Sequence, residues 1–203
     1  MKYFTSDLHF GYEPILKQAN RPFESIEQMN KAIIDNFNSV LTKDDVLVIL
    51  GDVACYGYNP KNELKAINGK KVLIVGNHDK EPLKHKSFRD CFIDIRDNEI
   101  DRSGNTSVFL SHYPMAEWDG YFKGIWHFYG HVHNSSQGAG SLMKLFPRAV
   151  NVGVDVNGFM PKTKQQLIAE REKEYDPTKL GVSEEFLKRN IFVEVEDRAV
   201  TRR

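Results

Sequence analysis

Short runs of β-forming residues punctuate the first two thirds of the chain: Lys2 to Thr5, Val46 to Leu50, Lys71 to Val75, Ser107 to Leu110 and Ile125 to Tyr129. Val46-Leu47-Val48-Ile49-Leu50 and Val72-Leu73-Ile74-Val75 are continuously apolar, the pattern of strands buried on both faces. Between the first two runs, Gly11 to Pro22 reads as a loop with a short helical turn. Ile26, Met29, Ile33, Phe37 and Val40 then recur at helical spacing behind a Ser25/Gln28 capping box, which predicts a helix reaching Leu41. Thr42 to Asp45 is a turn. A second helix opens at Pro60 with Asn59 as its cap and closes at Asn68-Gly69. Strand alternating with helix predicts a largely parallel sheet.

The later pattern is weaker. Pro82 to Lys86 suggests a short helix, Phe92 to Ile95 a strand, Arg102 to Asn105 a turn, and Asn134 to Ser141 a mobile loop rich in Ser and Gly. Ala149 to Val156 alternates as a strand does, with Asn151, Gly153 and Asp155 on one face and Val150, Val152 and Val154 on the other. Lys162 to Tyr175 is a charged helix, Gly181-Val182-Ser183 introduces a short one, and Ile191 to Val195 reads as a returning edge strand. No internal repeat or linker divides residues 1–203, so one domain is the economical reading.

Composition narrows the function classes. Lys plus Arg and Asp plus Glu both total 28 of 203 residues, so no basic excess supports strong nucleic-acid binding. Cys55 and Cys91 form no disulfide framework, no apolar run approaches membrane-spanning length, and the start leads straight into Asp7. These features predict a soluble cytoplasmic protein.

The candidate chemistry lies at the strand ends: Asp7-Leu8-His9, Gly51-Asp52, Gly76-Asn77-His78-Asp79, Ser111-His112 and Gly130-His131-Val132-His133. In open α/β sheets, ligands gather beyond the carboxyl ends of the strands, where loops carry polar side chains and the strands stay buried. Asp7 and His9 are two apart, and on an extended chain they face the same side; His131 and His133 repeat the spacing after Gly130, whose missing side chain permits a turn. Each piece alone reads equally as a turn or a satisfied histidine. Five strand ends finishing in oxygen and nitrogen donors point together to a metal site.

The ordered series D-x-H, G-D, G-N-H-[DE], H, G-H-x-H resembles the calcineurin-like metallophosphoesterase superfamily, of the small bacterial or phage type, over Asp7 to His133. The resemblance implies a four-layer αββα sandwich of two mixed β-sheets flanked by helices. It also implies a dinuclear centre in which Asp7, His9, Asp52 and His133 hold one divalent ion and Asp52, Asn77, His112 and His131 the other, with Asp52 shared. Mn leads among the candidate metals, with Fe, Zn and Ni as alternatives for an oxygen and nitrogen donor set. The implied reaction is hydrolysis of phosphodiester or phosphomonoester bonds by a metal-bridging hydroxide, with His78 as general acid and Asp79 or a more distant carboxylate orienting it.

Both arginines that clamp phosphate in the phosphoprotein phosphatases of this superfamily are missing: the chain reads Gly51-Asp52-Val53-Ala54-Cys55-Tyr56-Gly57 and Val75-Gly76-Asn77-His78-Asp79. A bidentate clamp serves a dianionic monoester best, so its absence favours diesters or small phosphorylated metabolites, a nucleotide among them. Tyr56 and Tyr58 follow Asp52 closely and either overhang the site or pack. His127 reads as a support for the site or a satisfied strand histidine, His85 as surface, Cys55 as a small core residue, and Asn151 and Asp155 as structural groups. A serine/threonine phosphatase, a nuclease subunit and a metal-binding scaffold without catalysis are the competing readings; the intact donor set and His78 count against the last. No pattern in the chain bears on oligomeric state.

Overall fold

The computed structural model describes residues 1–55 and 57–191. Nine strands form two mixed sheets among them. The first joins β1 (Lys2–Thr5), β2 (Val46–Leu50), β3 (Lys70–Ile74), β4 (Asp94–Arg96) and β9 (Lys162–Thr163) in the order β4-β3-β2-β1-β9; β1 to β4 run parallel, and β9 caps the edge antiparallel to β1. The second joins β5 (Asn98–Asp101), β6 (Val108–Ser111), β7 (Trp126–Tyr129) and β8 (Ala149–Asn151) in that order, with β5 antiparallel and the rest parallel.

The sheets pack face to face through Phe4, Val48, Leu50 and Ile74 from one and Val108, Leu110, Phe128 and Val150 from the other. Phe4 and Phe128 meet edge to face at 5.3 Å, a favoured aromatic geometry. The outer face of the first sheet is covered by α1 (Ile15–Gln18), α2 (Ile26–Val40) and α3 (Lys61–Ala66), with Met29, Ile33, Phe37 and Leu64 in the core. The outer face of the second sheet is covered by Met143, Phe146 and Leu187, which flank or belong to α5 (Gly138–Leu142) and α7 (Glu184–Asn190). This is the αββα sandwich. The remaining helices are α4 (Lys86–Arg89) and α6 (Lys164–Glu174), and no helix of the described residues is long and apolar enough to cross a membrane.

Local chemistry explains the boundaries. Ser25 accepts from the Gln28 N–H as a cap, while the Gln28 side chain accepts from Glu24 N rather than from Ser25 itself. Val40, at the end of the expected stripe, is exposed. α3 opens one residue later and closes earlier than expected: Pro60 is its N-cap with no side-chain cap bond, Asn59 Oδ1 only accepts from Lys61 N at 3.3 Å, and the helix ends at Ala66. The charged helix begins two residues later than its charge pattern suggests, because Lys162 and Thr163 pair with β1 and Thr163 then forms a capping box with Gln166.

Three expectations need correction. The strand expected over Phe92 to Ile95 is shifted to Asp94–Arg96, leaving Ile93 exposed. The loop expected over Asn134 to Ser141 turns into α5 at Gly138. The strand expected to run to Val156 stops at Asn151, where the side chain accepts from Gly153 N and bends the chain into a 3-10 turn over Val154–Val156. The edge strand expected over 191–195 lies outside the described residues except for Ile191, as do Tyr56, Arg198, Arg202 and Arg203.

Candidate metal centre

The two sheets meet where β1 and β8 end. Ser6 bridges to Gly153, Val154 N donates to Ser6 O, and His131 N donates to both carboxylate oxygens of Asp7 at 3.0 Å. A Cβ on Gly130 would lie 2.3 Å from Ser6 Oγ and 2.6 Å from Asp7 Oδ2, so glycine is required by the close approach of the sheets. Gly130 itself does not have a positive φ. Gly51 has both constraints: its φ is +84°, and a Cβ would meet His112 Nδ1 at 2.4 Å.

Left-handed backbone instead falls on the donors. Asp7, His9, Asp52, His131 and His133 all have φ between 49° and 71°, and only Asn20 and Phe159 share that conformation among the other described non-glycine residues. The extended-chain account of the D-x-H and H-x-H spacing is therefore wrong; Asp7 and His9 still converge on one donor group, whereas His131 and His133 are divided between two. Strain of this kind persists where surrounding contacts over-determine the backbone, and it concentrates at functional sites.

The donors assemble as two groups. Asp7, His9 and His133 form one, and Asp52, His112 and His131 the other; within each, one donor atom per residue lies within 4.8 Å of the others. Asp52 Oδ2 is 3.4 Å from His112 Nε2 and 3.8 Å from His9 Nε2, so it stands between the groups. Asn77 Oδ1 lies 3.0 Å from His112 Nε2. His78 flanks His9, with ring centroids 5.5 Å apart, and its backbone N–H donates to Asp52 Oδ1 at 2.9 Å.

Supporting contacts orient the imidazoles. His112 Nδ1 donates to Leu50 O at 2.8 Å, His133 Nδ1 meets Asp155 Oδ2 at 2.7 Å, and His9 Nδ1 meets Cys55 Sγ at 3.2 Å, which leaves Nε2 of each ring for a ligand. His9 Nε2 and His131 Nδ1 are buried without a hydrogen-bond partner. Buried polar atoms ordinarily have one, so these orphaned nitrogens among carboxylates fit a cation. The charge balance agrees. Burial raises the Asp7 pKa, outweighing its neighbouring histidines, and burial lowers His9 to about 3. For Asp52, burial works upward, but hydrogen bonds and charge from His112 and the His78 N–H hold the carboxyl at about 2. Burial works downward on His112, and Asp52 and Asp7 overcome it to reach about 9.

One supporting residue, Arg21, escaped the sequence reading, and another, Asp155, was read there as a structural group. Arg21, 5% exposed, donates to Asp155 at 2.8 and 3.0 Å and to the carbonyls of Asp7 and Leu8. Asp155 thus joins Arg21 to His133 and is more than a structural group of the strand. Arg21 carried no sequence signal; Asp155 was marked only by its place on the Asn151 and Gly153 face. Asp155→Ala is expected to weaken Mn binding about 10- to 100-fold, with Asp155→Asn milder because it keeps an acceptor for His133 Nδ1. Competition against a chelating dye measures this, and wild-type affinity in the alanine variant would contradict it.

Asp79 is fully buried beneath the site loops. Its carboxylate accepts from the N–H groups of Asp52, Val53 and Gly76 at 2.8–2.9 Å and ties two site loops together. Tyr58 packs against the core with its hydroxyl on Glu63. His127 is a satisfied strand histidine, bonded to Phe109 O and Met115 N, and His85 is exposed. A cleft of about 630 Å³ opens beside His133, but Asn134, Asn151 and Asn157 on its wall use their amides to hold neighbouring carbonyls.

An αββα sandwich with two groups of oxygen and nitrogen donors at its strand ends defines a metal-binding hydrolase class. The chain belongs to the calcineurin-like phosphoesterase family, whose model matches residues 3–137. An uncharacterized protein of Methanocaldococcus jannaschii is 31% identical over 174 residues, covering 84% of this chain and 91% of that protein. The Gene 66 protein of Mycobacterium phage L5 is 26% identical over 186 residues, covering 77% of this chain and 87% of the phage protein. The crystal structure of a protein of unknown function from Aquifex aeolicus superimposes with a TM-score of 0.67 at 26% identity, over 84% of this chain and 98% of that one.

Proposed function

We propose that this metal-dependent phosphoesterase works with two divalent ions, Mn favoured, on small phosphodiesters. One ion would be held by Asp7, His9, Asp52 and His133, the other by Asp52, Asn77, His112 and His131. The observation that carries this reading is the position of Asp52 Oδ2, within 3.4 and 3.8 Å of imidazoles from both groups. When bound, such ions supply Lewis acidity that neutralises phosphoryl charge and lowers the pKa of water.

The protein's own groups supply the rest. His78 stands beside His9 and would give a proton to the departing alkoxide oxygen. Arg21 does not offer a phosphate clamp, because its donors serve Asp155 and two backbone carbonyls. That supports diesters over dianionic monoesters, and over the phosphoprotein phosphatase alternative. Cys55 and Cys91 are free thiols, which suits the cytoplasmic setting we assign.

The test is hydrolysis of bis-p-nitrophenyl phosphate and p-nitrophenyl phosphate by metal-stripped protein reloaded with Mn. Diester turnover with the higher kcat/KM, absent from the stripped protein, is expected. Monoester preference would restore the phosphatase reading.

A further inference from the structure

Next to the second donor group stands an aromatic side chain that the proposed chemistry does not use. Tyr113 follows His112, and its ring centroid lies 4.5 Å from that of His131 and 5.2 Å from that of His112, tilted 60° and 73° to them. It is nonetheless 47% exposed. A half-exposed apolar ring at the edge of so polar a site leaves hydrophobic surface that a ligand can cover.

Its backbone is held in place. The buried Ser111 hydroxyl donates to Tyr113 O at 2.6 Å, and the following Pro114 restricts the Tyr113 backbone to extended conformations. The Tyr113 hydroxyl makes none of the hydrogen bonds among the described residues, so neither packing nor a polar partner accounts for this ring in full. Two other described tyrosines near the donors, Tyr12 and Tyr58, are engaged. Tyr12 packs near His9 with its hydroxyl accepting from Gln18, and Tyr58 is part of the core.

Building on the phosphoesterase reading, we infer that Tyr113 is a stacking wall for a planar ring on the substrate, and that the favoured substrates are phosphoesters of nucleosides. Stacking draws on the π-face that every base shares and needs no basic surface, which matches a chain of zero formal net charge. Its energetic part is in binding, so it belongs in KM.

Thymidine 5′-(p-nitrophenyl phosphate) and methyl p-nitrophenyl phosphate share a leaving group and differ in the nucleoside. With Mn-loaded protein, kcat/KM should favour the nucleoside ester. The ratio should fall about 5- to 100-fold in Tyr113→Leu, mainly through KM, and persist in Tyr113→Phe, which keeps the ring. Because the ratio is internal to each variant, a general loss of activity cancels.

An unchanged ratio in Tyr113→Leu, an equal fall in Tyr113→Phe, or no preference in the wild type would overturn the inference. Calorimetric Kd values for adenosine 5′-monophosphate and ribose 5-phosphate give a readout that needs no turnover. Tighter binding of the nucleotide in wild type and Tyr113→Phe, lost in Tyr113→Leu, supports stacking; equal Kd values, or binding of neither, overturn it. If the wild type hydrolyses neither ester, the hydrolase reading fails, and the Kd ratio still decides the role of Tyr113.

Discussion

Replacing Asp52 with asparagine is expected to lower kcat/KM by at least about a thousandfold, the equivalent of about 4 kcal/mol of transition-state stabilisation. Asp52 is 2% exposed and, among the described residues, the only carboxylate within 4 Å of imidazoles of both donor groups. Its low pKa keeps it an anion throughout the neutral range. Asparagine keeps an oxygen for the His78 N–H, now bonded to Oδ1 at 2.9 Å, so the loop need not collapse. What would be lost is the negative charge that the two proposed cations share. Bound Mn should drop from two equivalents per chain to one or fewer while circular dichroism stays that of the wild type. Full Mn content with wild-type turnover would remove Asp52 from its shared position.

The second large effect is expected at His78. His78→Ala should lower kcat by about 10²- to 10⁴-fold, the usual contribution of a positioned acid or base, with Mn content unchanged. The contact of this residue with Asp52 is made by its backbone N–H, which alanine retains. The loss should be small for a p-nitrophenyl ester, whose phenolate leaves without a proton, and large for an alkyl ester. Equal losses on both would mean that His78 contributes something other than proton donation.

How much of this was legible in the sequence varies by element. Val46–Leu50 is apolar at every position, and α2 carries both a cap and a stripe, so local pattern and tertiary role agree. Asn98–Asp101 is polar at three of four positions and becomes a strand only by pairing with β6 at a sheet edge, a contact that no local window contains. The donor motifs were readable because each motif begins at or just beyond a strand end. Their backbone was not. Left-handed Asp7, His9 and Asp52 carry a conformational cost that tertiary contacts must offset, and sequence spacing alone suggested an extended chain. Asp155 and Arg21 are 134 residues apart and meet only when the ends of β1 and β8 cross.

The central claim is a pair of cations sharing Asp52. Anomalous X-ray scattering from crystals of Mn-loaded protein, collected at the Mn edge, tests it most directly. The expected map has two peaks, one among Asp7, His9 and His133 and one among His112, His131 and Asn77, with Asp52 in contact with both. A single peak, or none at saturating Mn, would contradict the dinuclear account.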